Sequence, residues 1–356
     1  MGKRAVYGIQ FSDRTHYGDL IAQKQLLLKH YEKTKLDTTN LLLEIAELYI
    51  ERCDDLDDKL SEDEIERDLN EYLQKAIRIC NNVYRKKGHE DMILARIYEL
   101  LIQCYKKLDF HESAVGGCKK LLVILKRNSP VDISRIQRVY KTLGDLYYTN
   151  GHNQKEALFS DFQNAWENYS LERDVLEALK ESTDSCDETF SRLILSSNVN
   201  MGVILSKIHD PEFKAERFFV AATELAQKLN DPEAERECWH EFGKFFQRNG
   251  RWDSAMMCQK KEIKITKMLN LKEEEVACRI DNIKLYLEIE KFDECKKHFK
   301  RIKDLTTELE DESLHSEITS LVWDIESIHK EIKEVPLEEP LGRAKLYLEL
   351  GKRNLP

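Results

Sequence analysis

Proline and glycine are scarce in this chain, six and thirteen among 356 residues. That argues against a many-stranded sheet with frequent turns and in favour of helices. No apolar run approaches the roughly 18 residues that cross a bilayer, and no apolar core of signal-peptide length follows Met1. Position 6 is Val6 rather than Ser or Thr, so Met1-Gly2 does not open a myristoylation signal. The cysteines number nine, an odd count, and none forms a CxxC. They are expected to be reduced thiols of a cytosolic or nuclear protein.

Signatures of chemistry are missing as well. His240-Glu241 opens a zincin-like pattern, but Lys244 stands where the second histidine belongs. The glycines are isolated except for Gly116-Gly117, which falls inside a helical pattern and reads as close helix contact rather than a phosphate cradle. No His/Cys cluster has metal-ligand spacing, and no Gly-x-Ser-x-Gly turn occurs. The chain is expected to be non-enzymatic, without cofactor or metal.

What is abundant is charge, 34% of residues beside 41% apolar, with a net charge of -10. The excess is uneven. Glu51–Glu71 holds eleven acids against three bases, and Leu305–Glu339 eleven against two, which leaves the remainder mildly basic. Such runs are solvated faces in the plain reading. In the sharper one they attract a basic partner.

The apolar residues recur with helical period and in a repeating frame. Trp239, Phe242, Gly243, Phe246, Gly250, Trp252 and Ala255 read as a helix, a tight turn and a second helix that opens on a small residue. Gly243 and Ala255 are expected to let the two backbones approach. Positions equivalent to Gly243 are Ala46, Leu101, Gly144, Gly202 and Ile283, at successive spacings of 55, 43, 58, 41 and 40 residues once Gly243 is included. The frame implies an all-α fold: a tetratricopeptide (TPR) helix–turn–helix solenoid, a right-handed superhelix with repeats of about 40 residues. Residues 1–16 are expected to be a flexible leader, and 17–335 the solenoid, with an acidic insert over 54–68 and a polar one over 181–190. A long helix is expected over 313–335. Residues 336–356 read as the start of another repeat, as in a fragment of a larger protein.

In such an array the first helix of each repeat lines a concave groove. The frame places Glu44, Glu47 and Glu51 there, followed by Tyr98, Glu99 and Tyr105, then Asp145 and Tyr148. Asn200, His240, Glu241, Asp281 and Glu288 continue the line, and Lys141, Lys207, Lys244, Arg248 and Lys284 interleave. Carboxylates with tyrosines suit a basic extended peptide, through ion pairs and cation–π contact. The Asn200 amide suits a peptide backbone.

Several segments resemble the N-terminal TPR region of the Tonsoku and Tonsoku-like family. They are Asp109-Phe110-His111-Glu112-Ser113, Lys119-Lys120-Leu121, Arg127-Asn128, Gln137-Arg138 and Leu143-Gly144-Asp145-Leu146-Tyr147. Asn200-Met201-Gly202 and Trp252-Asp253-Ser254-Ala255-Met256-Met257 continue the likeness, which spans about Leu94–Leu305. Glu241-Phe242-Gly243 stands where that family has Asn-Leu-Gly, and Ile283 where it has Gly. The resemblance implies a nuclear scaffold of replication-coupled DNA repair whose groove binds a core histone tail. Asn200, Asp145 and Glu241 would be its contacts, other repair-scaffold subunits its partners, and direct nucleic-acid or membrane binding is not expected. The alternative is a TPR adaptor of the spindle-orientation or motor-cargo type. It would bind an acidic or apolar peptide through Lys207, Lys244 and Arg248. A third class is an architectural solenoid that binds folded subunits on its convex side.

Overall fold

The computed structural model describes residues 13–34, 37–55, 61–86, 88–128, 131–153, 159–182, 188–208, 214–289, 291–309 and 330. These form thirteen helices, one 3-10 turn at Cys53–Asp55 and no strand. They are α1 Asp13–Thr34, α2 Thr39–Arg52, α3 Glu62–Arg85, α4 Asp91–Lys107, α5 His111–Arg127, α6 Ile133–Asn153 and α7 Phe159–Ser182. Then come α8 Glu188–Lys207, α9 Lys214–Lys228, α10 Pro232–Arg248, α11 Trp252–Met268, α12 Lys272–Glu288 and α13 Phe292–Glu308.

The joints explain the regularity. At Leu108-Asp109-Phe110, Leu229-Asn230-Asp231, Asn249-Gly250-Arg251 and Leu269-Asn270-Leu271 the middle residue is left-handed, with φ of 55, 51, 67 and 55°. The third residue then donates its N–H to the carbonyl five residues back, Phe110 to Tyr105 at 2.9 Å and Arg251 to Phe246 at 2.9 Å. This closes one helix and starts the next within three residues, and Gly, Asn and Asp tolerate the conformation best. Helix starts are fixed by side chains. The Asp37 carboxylate accepts from the Thr39 N–H at 3.0 Å, and Asp231 accepts from Ala234 at 3.1 Å with Pro232 behind it. The Thr39 hydroxyl and then its N–H hold the Asp37 carboxyl below its ordinary value, and the Ala234 N–H does so for Asp231.

The helices divide into two compact units, Met1–Ser182 and Thr183–Pro356, so the boundary falls in the polar stretch 181–190. In the first, α2 pairs with α3, α4 with α5 and α6 with α7, while α1 packs on α2. α3 leans on α4 and α5 on α6, and the first helices α2 and α4 also touch. Leu43, Ile45, Leu73, Ile97, Leu121 and Leu125 are fully buried along its core. In the second unit α8 pairs with α9, α10 with α11 and α12 with α13, and α8 also touches α10. Its centre is aromatic. Phe219 stacks on Phe242 at 5.3 Å between ring centres, Phe242 on Phe246 at 4.4 Å and Trp239 on Phe242 at 6.2 Å.

The close approach expected at Gly243 is met more sharply elsewhere. A Cβ on Gly144 would lie 2.4 Å from Tyr169 Cε1, and one on Gly202 2.8 Å from Phe219 Cε1. On Gly243 it would meet Cys258 Cβ at 3.4 Å, ordinary contact. So Gly144 and Gly202 seat an aromatic ring from the second helix of their own pair.

Boundaries moved where caps were overlooked. The acidic stretch 54–68 is not all loop, since α3 begins at Glu62. Ser61 donates both its N–H and its Oγ–H to the Glu64 carboxylate, at 3.1 and 2.9 Å, and acids in a first turn suit the helix dipole. Asn150-Gly151, a pair that favours turns, is helical within α6. Gly151 is buried, and Asn150 donates to Asp161 at 2.9 Å. The leader's residues 1–12, the helix at 313–335 (apart from position 330) and the segment 336–356 lie outside the described residues. Among the described residues no helix is long and apolar enough to cross a membrane, and no His, Cys, Asp and Glu group has the arrangement of a metal site. The eight described cysteines are buried and unpaired; burial pushes the Cys80, Cys104 and Cys118 thiols up to about 12.

Candidate functional site

In the first unit the expected groove acids are present on the first helices, but each has a partner inside the chain. Glu44 pairs with Lys24 of α1. Glu47 of α2 accepts from Arg96 of α4 at 2.8 Å. Glu99 of α4 takes both arms of Arg135 of α6, each at 2.9 Å, the planar fork geometry of a guanidinium on a carboxylate. Each pair joins two helices, and the last two join one first helix to the next. A cleft of about 370 Å³ runs along them, lined by Glu47, Arg96, Glu99 and Arg135 with Met92 and Gln103.

The tyrosines are turned inward. Tyr98 is 9% exposed and sits edge-on to Tyr84 at 5.9 Å. Burial, then the hydrogen bond with Tyr84, pushes its hydroxyl up to about 12. Tyr105 packs against the core beside Phe110, at 6.5 Å between ring centres, and Tyr148 lies against Phe162 at 6.1 Å. Asp145 accepts from the buried Tyr169 hydroxyl at 2.8 Å. These four positions hold the helix pairs together and do not present a groove of open tyrosines.

In the second unit the balance differs. His240 does not face outward with Glu241. Its Nδ1 lies 2.9 Å from Glu262 of α11, a carboxylate that is 3% exposed and also accepts from the Cys278 thiol at 3.0 Å. That hydrogen bond holds the imidazole above its ordinary value despite burial. Among the described residues Glu241 forms an ion pair with Lys244 one turn on at 3.3 Å, and Asp281 with Lys284 at 3.6 Å. Such exposed pairs on one helix are worth well under ~1 kcal/mol. The Glu288 side chain lies outside the described residues.

Beside Glu241 stand three cations, Lys207 of α8 with Lys244 and Arg248 of α10. Burial, then Arg248 and Lys244, hold the Lys207 ammonium below its ordinary value, and Glu241 opposes them. Arg248 donates to Ser206 Oγ at 2.8 Å, which aims its guanidinium along α8. Among the described residues no carboxylate forms an ion pair with Lys207 or Arg248. Two turns before Lys207, the Asn200 amide Nδ2 is buried without a hydrogen-bond partner among the described residues. The face therefore gathers three cations around Glu241, and a segment carrying carboxylates complements it.

Frame counting located Lys207, Lys244 and Arg248 but missed Arg96, Arg135 and Lys24. These partners lie 49, 36 and 20 residues from their acids, so only helix stacking brings them together. It also missed Glu172 of α7. That carboxylate is 1% exposed, and Gln137 Nε2 donates to it at 2.6 Å, while its other oxygen is buried without a partner.

The fold and this face define a TPR-type helical-repeat protein. No protein-family model matches the chain, and no curated protein matches it by sequence. Solved structures do. The chain is similar to a signal-transduction ATPase with numerous domains and a tetratricopeptide repeat sensor from Pyrococcus horikoshii, with a TM-score of 0.54 at 15% identity, covering 94% of this chain and 47% of that one. It is similar to BtubC from P. vanneervenii (TM-score 0.51, 15% identity, 69% and 92% covered) and to aspartyl phosphate phosphatase F from Bacillus subtilis (TM-score 0.50, 13% identity, 96% and 88% covered). At such identities the likeness is one of fold, and it places this chain in the TPR repeat class without bearing on the Tonsoku resemblance.

Proposed function

We propose that this chain is a non-catalytic TPR recognition module, and that the first-helix face of its second unit binds an extended acidic segment of a partner protein. The observation that carries this is the cluster of Lys207, Lys244 and Arg248, which draws together three like charges with Glu241 alone among them. Like charges gathered on one face cost free energy in the unbound state, and an incoming carboxylate offsets that cost. This is the adaptor reading of the sequence, restricted to the second unit.

The test is fluorescence polarisation of a labelled Asp/Glu-rich peptide against the whole chain. Binding is expected at low salt, weakening as salt rises, with a loss of about tenfold or more in Lys244→Glu with Arg248→Glu. No binding up to about millimolar, a free energy of about -4 kcal/mol, or binding indifferent to that double variant, would end the proposal.

A second reading follows from the resemblance to Tonsoku: a nuclear repair scaffold whose groove holds an unmodified core histone tail. One observation favours it, since among the described residues Glu241 and Asp281 form ion pairs with lysines of their own helices and can re-pair with a basic tail. The paired state of Glu44, Glu47 and Glu99 weighs against it in the first unit. A labelled tail peptide in the same assay decides between them, because only this reading expects binding that Glu241→Lys with Asp281→Lys abolishes.

A further inference from the structure

The outward face of α11 carries a feature that the first-helix face does not use. Along this one helix Met257, Lys260, Lys261, Lys264, Lys267 and Met268 are all exposed, the methionines by 49% and 67%. Lys260, Lys261 and Lys264 make no ion pair among the described residues, and Lys267 reaches Glu275 only at 4.0 Å. On α13 of the same unit the comparable lysines are matched, Lys296 to Asp293 at 3.7 Å and Lys297 to Glu294 at 2.9 Å. Near its start the α11 face sinks into a depression of about 450 Å³ between Asp253, Met257, Lys260, Lys261 and Lys264.

Exposed methionines scattered singly need no explanation. These two sit eleven positions apart on one stripe, and eleven residues make almost a whole number of helical turns, so they bracket the lysines along a length of about 16 Å. A methionine adapts its flexible thioether to whatever apolar side chain lands on it. The stripe is thus an apolar contact, a run of cations and a second apolar contact.

We infer that this face of α11 is a second interaction surface, and that it takes an acidic amphipathic helix of a partner protein. The partner lies along α11, sets one apolar residue on Met257 and another eleven residues away on Met268, and places carboxylates over the lysines between. Charge complementarity fixes the sign of the partner, and the two methionines fix its form. A single strand of nucleic acid would draw on stacking aromatics and arginines, and this stripe has neither. The surface is independent of the Lys207, Lys244 and Arg248 cluster.

The test uses the whole chain and three labelled probes: a helical peptide with leucines eleven residues apart and glutamates between them, a scrambled peptide of the same composition, and a single-stranded oligothymidylate. The ordered peptide is expected to bind at low salt, to weaken about tenfold or more in Lys260→Glu with Lys264→Glu, and to weaken also in Met257→Asp. The Lys244→Glu with Arg248→Glu protein removes acidic-peptide binding at the first-helix face, so in that background the binding that remains, and its loss on adding Lys260→Glu with Lys264→Glu, reports this surface alone. All the altered α11 side chains are exposed, and far-ultraviolet circular dichroism verifies that each variant retains its helices. Equal binding of the scrambled peptide, indifference to the lysine reversals, or binding of the oligothymidylate in preference to the ordered peptide would each overturn the inference.

Discussion

Alanine in place of glycine at two positions of the same repeat frame is expected to act with opposite sign. Glycine within a helix costs roughly 1 kcal/mol relative to alanine, so both substitutions begin with that gain. At Gly243 the added methyl meets Cys258 Cβ at 3.4 Å, a contact that needs no movement. The gain survives, and Gly243→Ala is expected to be neutral or to stabilise by up to about 1 kcal/mol. At Gly144 the methyl would lie 2.4, 2.5 and 2.9 Å from Cε1, Cδ1 and Cζ of Tyr169. That ring is 4% exposed, and its hydroxyl donates to Asp145 at 2.8 Å. It cannot swing aside without giving up a hydrogen bond worth about 1 kcal/mol, and overpacking adds roughly 1–3 kcal/mol. The net expectation is a loss of about 1–3 kcal/mol. Thermal unfolding followed by circular dichroism gives the comparison, with Gly144→Ala lowering the midpoint by several degrees and Gly243→Ala leaving or raising it. The double change Gly144→Ala with Tyr169→Leu recovers part of the loss. A Gly144→Ala protein as stable as the Gly243→Ala protein would refute the seating of Tyr169 on bare backbone.

Two further expectations concern buried charge. Burial pushes the Glu172 carboxyl from its ordinary 4.5 up to about 7, so the folded state holds its proton more tightly than the unfolded chain. The stability it contributes is therefore complete below about pH 4.5 and is lost as pH rises through about 7, a swing of about 3 kcal/mol; Glu172→Gln is expected to flatten urea-denaturation stability across that window, and an unchanged slope would remove Glu172 as its cause. Arg135→Ala leaves Glu99 without its fork and is expected to cost about 1–2 kcal/mol, while Glu99→Gln, which keeps one acceptor, costs less; equal losses in the same measurement would show that charge pairing does not matter there.

Local rules made much of the fold legible. The left-handed joints stand where Asp109, Asn230, Gly250 and Asn270 interrupt apolar periodicity, and the second-unit aromatics fall in the frame that Trp239 and Phe242 announce. The start of α3 was legible too, in Ser61 and Glu64, but the acid content of 54–68 outweighed the cap. Side-chain direction was the limit. Tyr98 and His240 occupy groove positions by count, yet Tyr98 turns into the core and His240 turns to Glu262, because one residue of offset turns a side chain by about 100° around its helix and so toward a different neighbour. Ion-pair partners were illegible for a simpler reason. Nothing local relates Glu99 to Arg135, and the packing of α5 between α4 and α6 does.

The charge of a repeat surface does not follow from the count of its acids. In the first unit Lys24, Arg96 and Arg135 each come from a neighbouring helix to Glu44, Glu47 and Glu99. Each pair spans two helices, so it fixes how far one slides along the next, and a ligand cation would have to displace a cation of the chain before it gained anything. Those acids serve register. In the second unit the pairs on the corresponding face run along one helix, Glu241 to Lys244 and Asp281 to Lys284, and impose no such register. Their lysines rotate away at little cost, while among the described residues Lys207 and Arg248 form no ion pair with a carboxylate. Recognition is therefore expected where the pairing is intrahelical and incomplete. The measurement that follows is a comparison of salt sensitivity. Raising salt should weaken peptide binding through Lys207, Lys244 and Arg248 far more than it lowers the stability contributed by the Arg135–Glu99 fork, where the arginine side chain is only 10% exposed. Equal sensitivity of the two would mean that the fork is as open to solvent as the cluster, and the division of roles between the two units would fail.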